Sequence, residues 1–450
     1  MTVELEGLLE IGDRIAGWAR DGEQIEAVVV HSRDTEIRAY EGEVEQLSSA
    51  ETQGVGIRVV RDQRIGFAYA GSLDDDVLGE TLDDARDNAG FGTIDEFVGL
   101  AEPDGVPIAD LDLFRDELAG FPTDKKVELA IALERAARAA DPRISVVESA
   151  DYVDSTAEGA VVTSTGIRAA ARETAAYVTA SVLAADGDET QTGFGFSVGR
   201  GPSDIDIDVA AADAARRATR MLGATKPASA RMTIVLDPWV SAMLIGIIAS
   251  TLSGESVLKG RSPFADRVGE QIGSNLLTLV DDPTNPKAFT ATQTDGEGLA
   301  TRRTALIEGG VLRGFLHNTY TARRLGTRST GSAVRGFKST PSAGARAVSL
   351  LPGSATQAEL VTAVGDGLLV QSVQGLHSGV NPVSGDFSTG AEGLRIAGGE
   401  VGAPHREFTI ASTLQRILHD VVAVGGDVEW LPMSAAGVSL VVNDVTVSGV

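Results

Sequence analysis

The chain contains no cysteine. Disulfides, thiolate metal ligands and a cysteine nucleophile are therefore excluded. Lysine is scarce too: Lys125, Lys126, Lys226, Lys259, Lys287 and Lys338 are the only six, against 32 arginines. No apolar run approaches the roughly 20 residues that a membrane-spanning helix needs. The start, MTVELEGLLEIGD, has no basic stretch followed by an apolar one, so no signal peptide is expected. Positive charge is in deficit overall, with 38 basic residues against 64 acidic ones and a formal net charge of -26. Such a surface repels nucleic acid and anionic membrane at long range. The expectation is a cytoplasmic protein with neither as a partner. Dispersed carboxylates also suit a salt-adapted cytoplasm, where screening suppresses their mutual repulsion. The habitat expected on that ground is that of a halophilic archaeon.

What remains is ample for a core: 450 residues, 43% of them hydrophobic. Two or three domains are expected. Apolar spacing over residues 4–20 reads as an amphipathic helix. Ile25–His31 and Glu36–Tyr40 read as strands, and Gly54–Val60 with Ile65–Tyr69 as a hairpin turning near Asp62 and Gln63. Helices follow at Val77–Asn88 and, with Thr123 as cap, through Ala139. Ile144–Tyr152, Ala157–Thr165, Thr174–Leu183 and Thr192–Val198 read as strands, the last as an edge. Ile205–Leu222 is an alanine-rich helix suited to close packing. The break at Gly223–Ala230 suggests a division into residues 1–225 and 226–450, with room for a subdivision of the first near 100–122. In the second part come the strand Met232–Leu236 and an apolar helix, Val240–Leu252. Short strands follow, two of them joined at Gly309–Gly310. Thr413–Val422 reads as a helix and Val438–Thr446 as the last strand. The fold class is α+β: a two-part N-terminal α/β region with antiparallel strands, and a strand-rich C-terminal domain.

None of His31, His317, His377, His405 and His419 stands three or four residues from another, so no HExxH or local zinc cluster exists. GxGxxG and GxxxxGK[ST] are missing as well, and Ser329–Ser332 (STGS) lacks the GxSxG form of a serine elbow. Two polar segments stand out. His317–Gly336 (HNTYTARRLGTRSTGSAVRG) gathers His317, Tyr320, Arg323, Arg324, Arg328 and Arg335 in an otherwise acidic chain. It suits an anion clamp, internal ion pairs or an intersubunit contact. His377–Gly385 (HSGVNPVSG), with His377, Ser378 and Asn381 and followed by Asp386, suits a backbone cradle or a structured turn.

Those two segments, with Thr301–Phe315 (TRRTALIEGGVLRGF), HSGVNPVSGDFSTGAEGL and SLVVNDVTVSG, resemble the TldD/PmbA family, and within it the PmbA branch, also called TldE. The resemblance covers essentially the whole chain and is strongest from about residue 230. It implies a two-protein complex that degrades unstructured peptides. One subunit, TldD, carries zinc on an HExxxH helix with a later cysteine ligand; the other lacks those ligands. The family's run HEAVGHGLEGD matches Ile245–Glu255 (IGIIASTLSGE) here. The first histidine falls on Ile245, the glutamate on Gly246 and the second histidine on Ser250. The cysteine has no counterpart. The resemblance thus implies no catalytic residue and no metal or other cofactor in this chain. Zinc is expected in a TldD-type partner, with a peptide or unfolded protein as substrate. His317, Tyr320, Arg323, Arg324, Arg328, His377, Ser378, Asn381 and Asp386 become candidates for cavity lining or interface. Two other readings stand beside this one: an independent hydrolase built on a dispersed histidine and carboxylates, and a non-catalytic homodimer that binds peptides or regulates.

Overall fold

The computed structural model describes residues 5–450, apart from the His377 side chain. The amino half is one six-stranded antiparallel sheet with helices on one face. Helix α1 (Leu5–Gly17) leads into β1 (Gln24–Tyr40), β2 (Glu43–Arg61) and β3 (Arg64–Ala70), then α2 (Asp75–Phe91). An extended connection reaches the short α3 (Asp116–Ala119) and α4 (Thr123–Ala139). Strands β4 (Ile144–Thr163), β5 (Arg168–Asp186) and β6 (Glu189–Gly199) precede α5 (Ile207–Thr219). The strand order is β3-β2-β1-β4-β5-β6, so β6 is an edge, as expected.

Alternation sorts the two faces of this sheet. Ala27, Val29, Ile37 and Ala39 on β1, with Ala150, Tyr152, Ala160 and Val162 on β4, turn toward the helices and are buried there. The alanines of α5 let it lie almost on the sheet. A Cβ at Gly195 would stand 2.0 Å from the Ala210 carbonyl oxygen, and one at Gly193 2.3 Å from that of Ala214. The β2–β3 turn is where it was expected, with Asp62 and Gln63 at φ 51° and 57°.

Two expectations need correction here. Residues 25–40 and 144–163 form one strand each, not two, because β1 pairs along its length with both β2 and β4. A buried lysine reaches the polar residues in their middles: Lys126 Nζ, from α4, lies 2.5 Å from Asp154 Oδ2 and 3.2 Å from Thr35 Oγ1. Thr123 is not the cap of α4; Pro122 holds that position and makes no side-chain bond to the helix.

The carboxyl half begins with β7 (Ala230–Leu236), α6 (Pro238–Thr251) and α7 (Gly254–Leu258). Then come β8 (Leu279–Asp281), β9 (Thr304–Glu308), β10 (Val311–Leu312), α8 (Thr319–Arg324), β11 (Ala333–Val334), β12 (Ser342–Ala343) and β13 (Val348–Leu350). Next are α9 (Gln357–Val364), β14 (Gly367–Gln374), α10 (Leu376–Gly379), β15 (Asp386–Ala397), β16 (Glu400–Thr413) and α11 (Leu414–His419). The last strands are β17 (Val421–Val424), β18 (Glu429–Trp430), β19 (Ala436–Gly437) and β20 (Leu440–Ser448). Residues 421–422 thus start a strand rather than finishing a helix.

Strands β16-β15-β14-β7-β20 pair in that order, and β16 also pairs with β20, which closes a small barrel. Its interior is filled by Ile234, Leu236, Val370, Phe387, Ile410 and Val442, continuous with the buried face of α6. This filled barrel is a packed core that holds up the loops around it.

Candidate functional site

Helix α6 carries the positions where the resemblance puts metal ligands. It starts sharply, with Asp237 Oδ1 accepting from the Trp239 amide at 3.2 Å and Pro238 in the first turn. Ile245 and Ile248 are 2% and 4% exposed and pack in the main core of the carboxyl half. Gly246 is half-buried. Ser250 is exposed, and its Oγ donates to the Ile247 carbonyl at 2.7 Å. Five helical residues turn through about 500°, one full turn and about 140° more. Ile245 therefore faces the core while Ser250 faces away. Among the described residues, no three histidine, aspartate or glutamate side chains gather as a metal site.

The arginine-rich segment is anchored by α8. Asn318 caps it, accepting from the Thr321 amide at 2.9 Å. His317 is buried, with Nδ1 3.2 Å from Thr321 Oγ1, and burial lowers its pKa. The other side chains reach back to the connection that follows α2. Tyr320 donates to Asp95 Oδ2 at 2.8 Å, and Arg323 Nη2 to the Leu100 carbonyl at 2.9 Å. Arg324 lies over the Phe97 ring at 4.9 Å and 3.9 Å from Asp95 Oδ1. Arg328 is exposed. Between these elements runs an open cleft of about 680 Å³, lined by Arg58, Ile94, Asp95, Phe97, Tyr320 and Arg324 among others.

Arg335 goes elsewhere. Its side chain is 1% exposed and pairs with Glu26, which is fully buried on β1. Glu26 is also held by Arg58 through Nε at 2.9 Å and Nη2 at 2.6 Å. Arg58 Nη2 lies 3.6 Å from Glu297 Oε1, and Glu297 Oε2 accepts from the Thr319 amide at 2.8 Å. This buried quartet fastens the open face of the amino-terminal sheet to the carboxyl half. Burial works against ionising Glu26, but the charges of Arg58 and then Arg335 leave its pKa below the usual carboxylate range. Beside it, Asp295 accepts from the amides of Glu297 (2.8 Å), Leu299 (3.1 Å) and Ala333 (3.0 Å). Burial, followed by the charge of Glu297, pushes Asp295 up to about 7.

The loop after β14 is closed on itself. Its Asn381 amide donates to the Asp386 carbonyl at 2.8 Å, and Asn381 Oδ1 accepts from the amides of Val383 (2.9 Å) and Ser384 (3.3 Å). Ser384 Oγ donates to Asp386 Oδ2 at 2.7 Å, and Ser378 Oγ to the Gly375 carbonyl at 3.2 Å. The His377 side chain lies outside the described residues. These contacts match a structured turn, with the polar groups spent inside the loop. None of them joins this loop to the α8 group.

Sequence reasoning overlooked Glu26, Arg58, Asp295 and Glu297. The signal was there: Glu26 is a lone acid in IEAVVV and Arg58 a lone base in GIRVV, and the two strands pair at those residues. A single charge in an apolar strand needs a buried partner.

Three family descriptions match: PmbA/TldA metallopeptidase domain 1 over residues 25–89, the central domain over 116–222 and the C-terminal domain over 229–449. "Metalloprotease PmbA" of Escherichia coli O157:H7 is 28% identical over 428 residues, covering 94% of this chain and 92% of its own. "Metalloprotease TldD homolog" of Haemophilus influenzae is 25% identical, covering 88% and 87%. The solved structure of TldE from Thermococcus kodakarensis is 27% identical with a TM-score of 0.89, covering 99% of this chain and all of that one. A metal ion, which the family description implies, does not fit α6 here. Ile245 offers hydrocarbon in the core, Gly246 offers no side chain, and the Ser250 hydroxyl is committed to the helix backbone.

Proposed function

The chain belongs to the PmbA/TldD metallopeptidase family, and from that premise we propose that it is the non-metal-binding subunit of a two-subunit peptidase. It is of the PmbA (TldE) kind. Its partner is a TldD-type chain that carries zinc, and the complex acts on unstructured peptides in the cytoplasm. The division of labour follows the chain: residues 1–225 form the α/β region, and residues 226–450 the domain whose α6 stands where the partner's metal helix would.

The observation that carries this reading is the state of α6. The helix is kept, capped and packed, while its two ligand positions hold a core isoleucine and a self-bonded serine, and the position of the catalytic glutamate holds a glycine. A protein that had lost the activity and its use would have no reason to keep the surrounding scaffold at full length. The exposed cleft beside Tyr320 and Arg324, and exposed Arg328, offer surface for the partner or for holding substrate.

The test is co-expression with a family member bearing HExxxH, followed by metal analysis and peptide cleavage. Zinc should be found at one per complex and in the partner alone, and cleavage should need the partner. Stoichiometric zinc in this chain by itself, or chelator-sensitive cleavage without the partner, would sink the reading.

A further inference from the structure

The cleft beside Tyr320 has a floor as well as walls. On β3, Gly66 packs against α2, with the Ala85 carbonyl oxygen 2.0 Å from where a Cβ would stand. Its neighbour Ile65 therefore points to the open face of the sheet. Ile65 and Arg58 form the floor. Ile94, Phe97 and Val98, from the connection after α2, line one wall, and Tyr320 and Pro341 of the carboxyl half line the other. Ile94 is apolar yet 59% exposed.

Arg58 has one donor left over on this floor. The residue is 3% exposed, and its Nε and Nη2 are both taken by Glu26. Its Nη1 has no hydrogen-bond partner among the described residues. Unlike Nη2 of Arg335, it is not sealed from solvent, and the cleft that Arg58 lines is the opening to it. A nearly buried guanidinium N–H without a partner calls for an acceptor.

The surrounding charges decide which kind. Arg58 and Arg335 are balanced by Glu26 and Glu297, so the floor carries no net charge. On the wall, Arg324 is offset by Asp95, whose oxygens accept from the Tyr320 hydroxyl at 2.8 Å and the Phe97 amide at 3.0 Å. Glu96 lines the same wall, is exposed, and forms no ion pair among the described residues. An anion would therefore meet Glu96, and a cation would meet Arg58 and Arg324. An uncharged acceptor on an apolar body fits both constraints, and a peptide carbonyl beside an apolar side chain is such a group.

We propose that this cleft holds an uncharged stretch of peptide, with Arg58 Nη1 donating to a main-chain carbonyl and Ile65, Ile94, Phe97 and Pro341 enclosing the adjacent apolar side chain. This rests on the peptidase reading for the origin of the peptide, and it deepens that reading by giving this subunit a substrate preference of its own. Binding is measured on the chain alone and without cleavage, so its failure leaves the zinc and activity of the proposed pair untouched.

The probe is N-acetyl-4-fluorophenylalanine amide, followed by its fluorine NMR line width as the chain is titrated in. Two comparison probes keep the ring: the free acid N-acetyl-4-fluorophenylalanine, and 4-fluoroethylbenzene, which has no carbonyl. The amide should bind saturably and both others about tenfold more weakly, as the loss of a hydrogen bond to a charged donor implies. Thr93→Trp, which fills the cleft from an exposed position, and Ile94→Glu, which puts a charge on its apolar wall, should each weaken the amide about tenfold. Circular dichroism checks that both variants fold. Arg58 itself needs no substitution, because the carbonyl-free probe tests its hydrogen bond with the quartet intact. The proposal is overturned if the amide does not bind, if either comparison probe binds as well as the amide, or if both folded variants bind it like the parent.

Discussion

Glu26 is a carboxylate with no exposed surface, and it is shared by two guanidinium groups. Removing one partner from a buried ionic group leaves the others uncompensated, at a cost of about 3–5 kcal/mol. Glu26→Gln keeps the shape and removes the charge, so Arg58 and Arg335 must then rely on Glu297 alone. Chemical denaturation should show a loss in that range, with the junction between the sheet and the carboxyl half opening first. A loss under about 1 kcal/mol would mean that the quartet behaves like an exposed pair. Asp295 makes the opposite contribution. Its carboxyl ionises near 3.8 when unfolded and is pushed up to about 7 when folded. Between those values the unfolded chain has released a proton that the folded chain keeps. Asp295 therefore lowers stability progressively as pH rises from about 4 to about 7, and its penalty is flat above that. Asp295→Asn loses the acceptor for the Ala333 amide, so it should be the less stable form at pH 4. Its deficit should shrink toward pH 7 and then stay constant, as read from melting temperatures at fixed salt. A deficit that does not change with pH would show that Asp295 is not titrating in this range.

At the scale of elements, the sequence was most legible where local chemistry and tertiary packing agree. Alanine spacing in α5, the turn at Asp62–Gln63 and the paired glycines at 309–310 all behave as read. The long strands were less legible because Ser32–Thr35 and Val153–Thr156 look like turns until neighbours are known. Pairing on both sides, and Lys126 reaching down from α4, outweigh their polarity. Strand β16 was missed for a related reason: Pro404 and a run of polar residues disguise a strand that barrel closure recruits. Of the candidate site, the composition of α6 could be read directly, while the partners of the arginines could not, since they lie up to 309 residues away. The α6 geometry also sets a limit on reversal. Ile245→His with Gly246→Glu and Ser250→His writes the ligand motif back into the sequence, yet position 245 points into packed hydrocarbon. The triple variant should bind no stoichiometric zinc. It should also lose about 2–5 kcal/mol, the usual cost of taking a large apolar side chain out of a core. Tight binding of one zinc per chain by the refolded variant would contradict the orientation assigned to Ile245.

For the whole molecule, the governing quantity is the excess of 26 negative charges. Most ion pairs among the described residues are at least partly exposed, such as Arg143 with Asp141 or Arg168 with Glu6 and Asp13, and each contributes little. The uncompensated carboxylates repel one another and oppose the compact state. Salt weakens that repulsion, since the screening length falls from about 10 Å at 0.1 M to about 3 Å at 1 M. Melting temperature should therefore rise steadily with KCl across this range, and NaCl should act alike because the effect is ionic screening. The buried quartet is largely shielded from solvent ions, so the deficit of Glu26→Gln should stay nearly constant while both proteins gain stability. A melting temperature that falls with salt would show that surface pairs, not surface repulsion, dominate. The same reasoning bears on assembly. The proposed partner, if it meets this chain in concentrated salt, would gain little from long-range attraction, so apolar burial and close arginine–carboxylate pairs would have to hold the proposed complex. Its dissociation constant should then change by less than about tenfold between 0.1 and 1 M KCl. An interface built from exposed charge would instead weaken steeply over that interval.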